Sequence, residues 1–214
     1  MSTRPDTEPL YVAIGASDVV GVGAADPERD NWASVLHRLM PRGTKLLRLA
    51  RSGITLREAN AVEVPRAAKA DPTLITVWNC VNDLVKSVPL DDYVRELDFA
   101  LSRLVRDTRA NILVLNVPDL SRLLPPELGV ARLALVQGGI RQWNEAIATT
   151  VDRYGDRVSL LDLFPASGEM MERGDTVASD RFHMSAAGYQ ALAELVWQTI
   201  QERGLLGQPP PLDA

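Results

Sequence analysis

The chain has 214 residues, of which 46% are hydrophobic, so its size and composition suit one domain with a sizeable core. Its formal net charge is −5, and the Lys and Arg residues are interspersed with acids, which argues against nucleic acid as a partner. Cys80 is the single cysteine, so an internal disulfide and a multi-cysteine metal site are excluded.

Both ends of the chain differ from its middle. Residues 1–9 are polar and contain two prolines, and residues 205–214 contain three consecutive prolines, which cannot sustain a helix. We therefore predict a flexible tail at each end of one domain at residues 10–204.

The apolar stretch at residues 10–25 could be mistaken for a signal sequence. It lacks a basic start, and glycines and Asp18 interrupt it. No apolar run approaches the roughly 18 residues that suggest a membrane span. A soluble, cytoplasmic protein is therefore expected, and the single cysteine fits a reducing compartment.

Short β-rich apolar runs alternate along the chain with longer segments of helical period. This alternation is typical of a parallel sheet covered by helices, so the predicted fold class is α/β. The five predicted strands, enough for one sheet, lie at residues 11–14, 45–49, 74–78, 112–117 and 158–161.

Helix signals lie between these strands. Asp26 before Pro27 is typical of an N-cap and first helical position, and Thr55 with Glu58 has capping-box spacing. Two apolar stripes of helical period are expected to face the core. They consist of Val94, Leu97, Leu101, Leu104 and Val105, and of Tyr189, Leu192, Val196 and Ile200.

The first strand is followed by Gly-Ala-Ser-Asp at residues 15–18. Ligands of open α/β sheets bind outside the carboxyl ends of the strands, so residues that follow strands are the candidates for chemistry. The Ser17 hydroxyl is placed on a tight strand-to-helix turn, where it could act as a nucleophile. A helix-capping role is the alternative for this serine taken alone.

Two further strand ends offer hydrogen-bond donors. Gly53 follows the second strand, and its backbone N–H could point at a developing oxyanion. Asn82 lies in Asn-Cys-Val-Asn-Asp at residues 79–83, and its side-chain amide could supply another donor without adding charge. Ordinary turn chemistry is the alternative for both residues.

The chain has two histidines, and His183 is the candidate base. It precedes a predicted helix and follows Asp180 by three residues, so Asp180 could accept from one ring nitrogen while the other faces Ser17. His37 lies inside the helix predicted at 31–40 without an obvious nucleophile or acid around it, so a structural role is expected.

Taken in order, these blocks resemble the SGNH or GDSL-type hydrolases, whose motif residues are a serine, a glycine, an asparagine and a histidine. The resemblance extends over about residues 11–200 and implies a flavodoxin-like three-layer α/β/α sandwich. It also implies a serine esterase that takes a small-molecule ester through an acyl-enzyme and requires no metal or cofactor. In that resemblance the catalytic residues are Ser17, Asp180 and His183, and the oxyanion hole consists of Ser17, Gly53 and Asn82.

Three neighbours of the motif residues depart from the family pattern. Ala16 stands where the family commonly has Asp, Cys80 where it commonly has Gly, and Met184 where proline is frequent. These departures weaken the inference of substrate and leave the reaction class standing. Carbohydrate acetylesterase, thioesterase and lysophospholipase activities are alternatives, and a catalytically silent binding module is the alternative from another class.

Two other residues near strand ends are assigned no catalytic role. Cys80 is expected to be a small, half-buried filler, because it directly follows a strand. Asp119, in Asn-Val-Pro-Asp-Leu at 116–120, is expected to form a turn. The Pro- and Leu-rich loop at 118–129 is expected to border the substrate site.

Overall fold

The computed structural model describes residues 8–207, and its centre is a five-stranded sheet. All neighbouring strands pair in parallel, in the order β2-β1-β3-β4-β5. This is the strand order of flavodoxin-like sheets, so the predicted α/β class and parallel sheet are confirmed. The strands are β1 (Leu10–Gly15), β2 (Lys45–Ala50), β3 (Leu74–Val77), β4 (Asn111–Leu115) and β5 (Val158–Leu161).

The burial of each strand follows its place in the sheet. The central strands β1, β3 and β4 are almost wholly buried, because they are covered on both faces, and they are continuous apolar runs for that reason. The edge strands β2 and β5 keep partly exposed residues. Val12 of β1 aligns with Leu47 on one side and Ile75 on the other. The carboxyl ends of these strands therefore meet at one edge.

Strands β3 and β4 end one or two residues earlier than predicted. Beyond β4 the Asn116 N–H still donates to the Leu161 carbonyl of β5 at 3.3 Å, but the next backbone groups bond side chains. The Val117 N–H donates to Asn144 Oδ1 at 3.0 Å, and the Asn116 carbonyl accepts from the Trp78 indole N–H at 3.1 Å. Apolar composition predicted the runs but could not show where these side chains intervene.

Helices join the strands and flank the sheet. Helix α3 packs on α9, whereas α4 packs on α6 and α6 on α7, and both groups also contact strands. The helices of the described chain are α1 (Ser17–Val20), α2 (Pro27–Asp30), α3 (Trp32–Leu39), α4 (Leu56–Lys69), α5 (Val81–Val85), α6 (Leu90–Asp107), α7 (Val130–Asp152), α8 (Leu163–Glu172) and α9 (Ala186–Glu202).

The predicted helix signals are confirmed. The Asp26 side chain accepts from the Arg29 N–H at the start of α2. Both halves of the capping box between Thr55 and Glu58 are present at the start of α4. The two apolar stripes lie in α6 and α9, and they contribute buried side chains such as Leu97 to the core.

The chain stays attached to the domain up to the last described residue. Leu205 is buried, and Asn111 Nδ2 donates to the carbonyls of Leu205 at 2.8 Å and Gly207 at 3.2 Å. The remaining parts of the two predicted tails, 1–7 and 208–214, lie outside the described residues. Within residues 8–207, no helix is long and apolar enough to cross a membrane.

Candidate active site

A tight turn at the end of β1 presents Ser17 as the first residue of α1. A Cβ at Gly15 would lie 2.4 Å from a methyl carbon of Val19, so the turn has no room for a side chain there. The turn is held by Asp18, whose Oδ1 accepts from the Ala16 N–H at 2.9 Å. Ser17 is thus held at the carboxyl edge of the sheet.

Asp18 also ties this turn to helix α3. Its Oδ2 accepts from the Trp32 indole N–H at 2.8 Å. Burial raises the pKa of Asp18, while the bonds from Trp32 and Ala16 act in the opposite direction. The Asp–Trp bond joins residues 14 positions apart, and nothing in the sequence pattern pointed to it.

A second turn, before α9, carries the histidine. Asp180 Oδ2 lies 2.6 Å from His183 Nδ1, and Asp180 Oδ1 accepts from the backbone N–H groups of Phe182 at 2.9 Å and His183 at 3.0 Å. Chiefly through the bond to His183, the pKa of Asp180 is lowered to about 2. The acid therefore both orients the imidazole and shapes the turn that carries it.

The two turns are in contact. Tyr189 of α9 donates its hydroxyl to the Val22 carbonyl at 2.6 Å. A Cβ at Gly23, whose φ is +97°, would lie 2.4 Å from the Met184 carbonyl and 3.0 Å from His183 Cβ. Only a glycine fits this approach, which brings the segment after Ser17 against the residue proposed as base.

The third element of the site is α5, which carries Asn82. Asn82 Nδ2 donates to the Ile54 carbonyl at 2.9 Å, which uses one of its two N–H groups. The next residue, Asp83, accepts from the Leu56 N–H at 2.9 Å, and burial raises its pKa to about 6. Both bonds tie α5 to the start of α4.

Gly53 lies one residue before Ile54, in the same turn. It has a φ of +75°, is exposed, and its carbonyl accepts from Lys86 Nζ at 2.5 Å. It does not line the cavity that Ser17, Asn82 and His183 share. The structure therefore brings Gly53 near Asn82 but leaves its oxyanion role a prediction.

One cavity is lined by Ser17, Asn82 and His183 together. Its wall is largely apolar, and α8 and the loop after β4 contribute many of the large side chains. These include Leu120, Leu123, Leu163, Met170 and Met171, with Leu192 from α9. The expectation that the loop at 118–129 borders the substrate site agrees with this lining. The arrangement joins a hydroxyl, an imidazole and an amide to a space suited to an apolar group.

Comparison with known families decides the class of the chain. A profile of the GDSL-like Lipase/Acylhydrolase family matches residues 13–191, which is most of the chain and includes every candidate site residue. The chain belongs to this family. The resemblance stated from the sequence is thereby confirmed, and the reaction class is the hydrolysis of ester bonds. Among curated protein sequences, none matches the chain.

Solved structures share the fold of this GDSL-type chain. A lipase from a goat rumen metagenome superposes with a TM-score of 0.71 at 19% identity, covering 93% of this chain and 100% of that chain. A family 3 carbohydrate esterase from Clostridium thermocellum gives 0.70 at 19% identity, with 93% and 99% covered. An acetyl-xylooligosaccharide esterase of Geobacillus gives 0.69 at 16% identity, with 92% and 94% covered. At sequence identities this low, the structural similarity shows a shared fold and nothing more.

The departures from the GDSL pattern have local explanations. Ala16 has no carboxylate, and its backbone N–H donates to the carboxylate of Asp18, two residues later in the chain. Cys80 has a φ of −120°, which any residue adopts, and its side chain is buried. Met184 lines the cavity and pairs with Val177 in an isolated antiparallel bridge. The altered positions thus lie around the candidate triad residues.

The residues assigned no catalytic role have other partners. His37 Nε2 lies 2.7 Å from the Thr44 carbonyl, which fits the structural role predicted for it. Asp119 forms a turn, because its Oδ1 accepts from the Ser121 N–H and hydroxyl. Cys80 is a filler but is fully buried, more than the half-burial predicted, and burial raises its pKa. The described residues contain no cluster of three His, Cys, Asp or Glu side chains suited to a metal ion.

Sequence reasoning missed several residues of the cavity. Met170 and Met171 come from α8, and Thr176 and Val177 from the segment after it. No motif marks these positions, because their role depends on where α8 packs. Asn79, three residues before Asn82, also lines the cavity, and its place within the third block was a signal that could have found it.

Proposed function

We propose that the protein is a serine esterase in which Ser17 is the nucleophile, His183 the base and Asp180 the acid that orients the base. One observation carries the proposal: Ser17 and His183 line the same cavity, and His183 Nδ1 is already bonded to Asp180. The other ring nitrogen is then left to take the serine proton.

The proposed reaction has two steps. His183 accepts the proton of Ser17 while the serine oxygen attacks the ester carbonyl, and the protonated imidazole then gives that proton to the departing alcohol. Water, deprotonated by His183, attacks the acyl-serine ester, releases the carboxylic acid and restores the serine hydroxyl. The chain's own side chains supply every proton transfer in this scheme.

The oxyanion of each tetrahedral intermediate is proposed to rest among the Ser17 N–H, the Gly53 N–H and Asn82 Nδ2. Asn82 is supported best, because it lines the cavity and only one of its two N–H groups is used by Ile54. Fixed donors stabilise developing charge most effectively in a site shielded from water. Helix α5 holds Asn82 in place through its bonds to the start of α4.

The proposed substrates are carboxylic esters with a small or lipid-like acyl group. The apolar cavity wall favours an acyl chain over a bare acetyl group. Hydrolysis of carbohydrate acetates is the second candidate, supported by the shared fold of the carbohydrate and acetyl-xylooligosaccharide esterases. A cytoplasmic location remains a proposal, which the single cysteine supports.

Labelling with an aryl organophosphonate tests the proposal. An activated serine forms a covalent adduct with loss of the aryl leaving group, and mass spectrometry should map that adduct to Ser17. Ser17→Ala should abolish both the adduct and the covalent route of aryl ester hydrolysis. Ser102→Ala, which removes an exposed helix hydroxyl, is the matched control and should leave both unchanged. An unlabelled wild-type protein, as expected of a silent binding module, would contradict the proposal.

A further inference from the structure

Asn79 is an unusual residue in the wall of the cavity. It is 4% exposed, and neither Nδ2 nor Oδ1 has a hydrogen-bond partner in the part of the chain that the structure describes. Buried amides almost always have partners, because an unpaired buried donor or acceptor is destabilising. An amide with both atoms unpaired beside a cavity therefore calls for a partner that enters the cavity.

Outside the proposed catalytic residues, the other polar side chains of the wall are already bonded. Ser167 donates to the Leu163 carbonyl at 2.6 Å, and Thr176 donates to the Met170 carbonyl at 2.8 Å. Tyr189 donates to the Val22 carbonyl. Apart from the proposed nucleophile Ser17, only Asn79 combines a place in the described wall with a side-chain donor and acceptor that are both unused.

We propose that Asn79 determines specificity by hydrogen-bonding a polar group, a hydroxyl or a carbonyl, on an otherwise apolar acyl chain. The inference rests on the proposed function, because it assumes that an acyl chain enters the cavity from Ser17. Sites of this kind are mostly apolar with a few placed polar groups, and the polar groups decide which ligand is accepted. An acyl chain without such a group leaves the amide unpaired.

The acyl side of the ester is assigned from burial. The departing alcohol receives its proton from His183, whose turn is open to solvent: Phe182 is 41% exposed. Asn79 lies instead beside Cys80, which is fully buried. The alcohol thus leaves by the open side, and the acyl chain occupies the buried side with Asn79.

The test compares aryl octanoate with aryl hydroxyoctanoates that carry the hydroxyl at successive carbons, and with the matching oxo-octanoates. For at least one position, wild-type kcat/KM should exceed that for octanoate by about 10- to 100-fold, because octanoate leaves a buried neutral donor or acceptor unpaired. Asn79→Leu, similar in volume, should reduce that ratio to about 1. Asn79→Ala should also reduce it and guards against misfolding of the first variant, whereas Ser102→Ala should keep the wild-type ratio.

Two results would overturn the inference. One is a wild-type enzyme that prefers none of the substituted acyl groups, and the other is a preference that Asn79→Leu leaves unchanged. Octanoate esters that carry a hydroxyl in the alcohol portion are measured beside them, and a preference confined to these esters would overturn the acyl assignment. Labelling of Ser17 and hydrolysis of octanoate by the wild type are measured in parallel. If the Asn79 inference fails while the wild type is labelled and hydrolyses octanoate, the proposed esterase function stands. If the wild type shows neither labelling nor hydrolysis, the proposed function itself is refuted.

Thermal melting gives a second readout that a purely structural role would not produce. Replacing a buried unpaired amide by an apolar side chain removes its desolvation cost, so Asn79→Leu should melt at or above the temperature of the wild type. A variant that melts lower and keeps the wild-type ratio of kcat/KM values would assign Asn79 to structure instead.

Discussion

Asp180 performs two tasks with its two oxygens. Oδ2 bonds the His183 ring, and Oδ1 accepts from two backbone N–H groups of the same turn. In Asp180→Asn the amide oxygen can keep the backbone bonds, but the amide nitrogen then faces the ring and favours the tautomer with its proton on the wrong nitrogen. We expect kcat to fall by up to about 10⁴-fold with little change in melting temperature.

Steady-state hydrolysis of an aryl ester and a thermal melt check this expectation. Asp156→Asn, at an exposed position before β5, is the matched control and should change neither kcat nor the melting temperature. Wild-type turnover in Asp180→Asn would remove Asp180 from the triad. Because the pKa of Asp180 is about 2, this acid stays ionised above that pH, so loss of activity near neutrality must come from another group.

Asn82→Ala tests the proposed oxyanion hole. Removal of one donor typically lowers turnover by roughly 10²–10³-fold, because the bond is strongest when charge develops on the substrate oxygen. We expect kcat to fall by that amount and KM to change little. The variant also loses the bond to Ile54, so the melting temperature must be measured beside it. An increase in KM of similar size with kcat unchanged would indicate that Asn82 contributes only to ordinary substrate binding.

At the scale of single residues, the sequence predicted candidate site residues where each lies in a short segment with a recognisable local pattern. Ser17 and the Asp180–His183 pair stand out because a turn glycine and a spacing of three can be read directly. The bond between Asp18 and Trp32, and the unpaired amide of Asn79, could not be foreseen, since they depend on which distant groups the fold brings near.

The capping box of α4 connects an element to the site. Thr55 and Glu58 fix the start of α4, directly after Ile54, whose carbonyl holds Asn82. We expect Thr55→Ala to lower the free energy of unfolding by about 1 kcal/mol, the usual effect of losing an N-cap. Urea unfolding measures the change, and Thr149→Ala, within exposed α7 surface, is the control with a smaller effect. Equal losses in the two variants would contradict the capping argument.

The elements themselves were predictable to different degrees. All five strands were found, because each is a short apolar run. The ends of the strands were not, because they depend on side chains such as Asn144. Helix α8 was not predicted: it is short and contains Pro165, and Asp162 caps it from the end of β5. Its methionines form part of the cavity, so the shape of the cavity was the part of the site that sequence could not supply.

The whole molecule carries several buried acids whose ionisation opposes folding. Burial raises the pKa of Asp18, of Asp83 to about 6, and of Glu63 to about 8. The folded state therefore holds these protons at pH values where the unfolded chain has released them. The stability that these groups contribute is fully present below their ordinary, unfolded-state pKa values. It is lost as the pH rises through their raised, folded-state pKa values. We expect the protein to unfold more easily at pH 9 than at pH 5.

Glu63 is the residue on which this expectation can be tested singly. It is 3% exposed, its Oε2 has no hydrogen-bond partner among residues 8–207, and the charged groups that act on its pKa are Asp18, Arg51 and Arg66. Glu63→Gln cannot ionise, so it escapes the loss of stability between about pH 4.5 and 8. The variant should match the wild type near pH 4.5 and gain over it as pH rises, by on the order of 1 kcal/mol per unit of pKa difference.

Urea unfolding of both proteins at pH 5, 7 and 9 measures this growing difference. The sign separates two roles for the side chain. If Glu63 were ionised and held by Arg51 or Arg66, its pKa would be lowered and Glu63→Gln would lose stability as pH rises, opposite to the expectation. Glu145→Gln, on the exposed face of α7, controls for the general effect of removing one negative charge and should show no such trend. A Glu63→Gln difference that stays constant from pH 5 to 9 would show that this carboxyl has the same pKa in the folded and unfolded chain, which its burial without a partner should prevent.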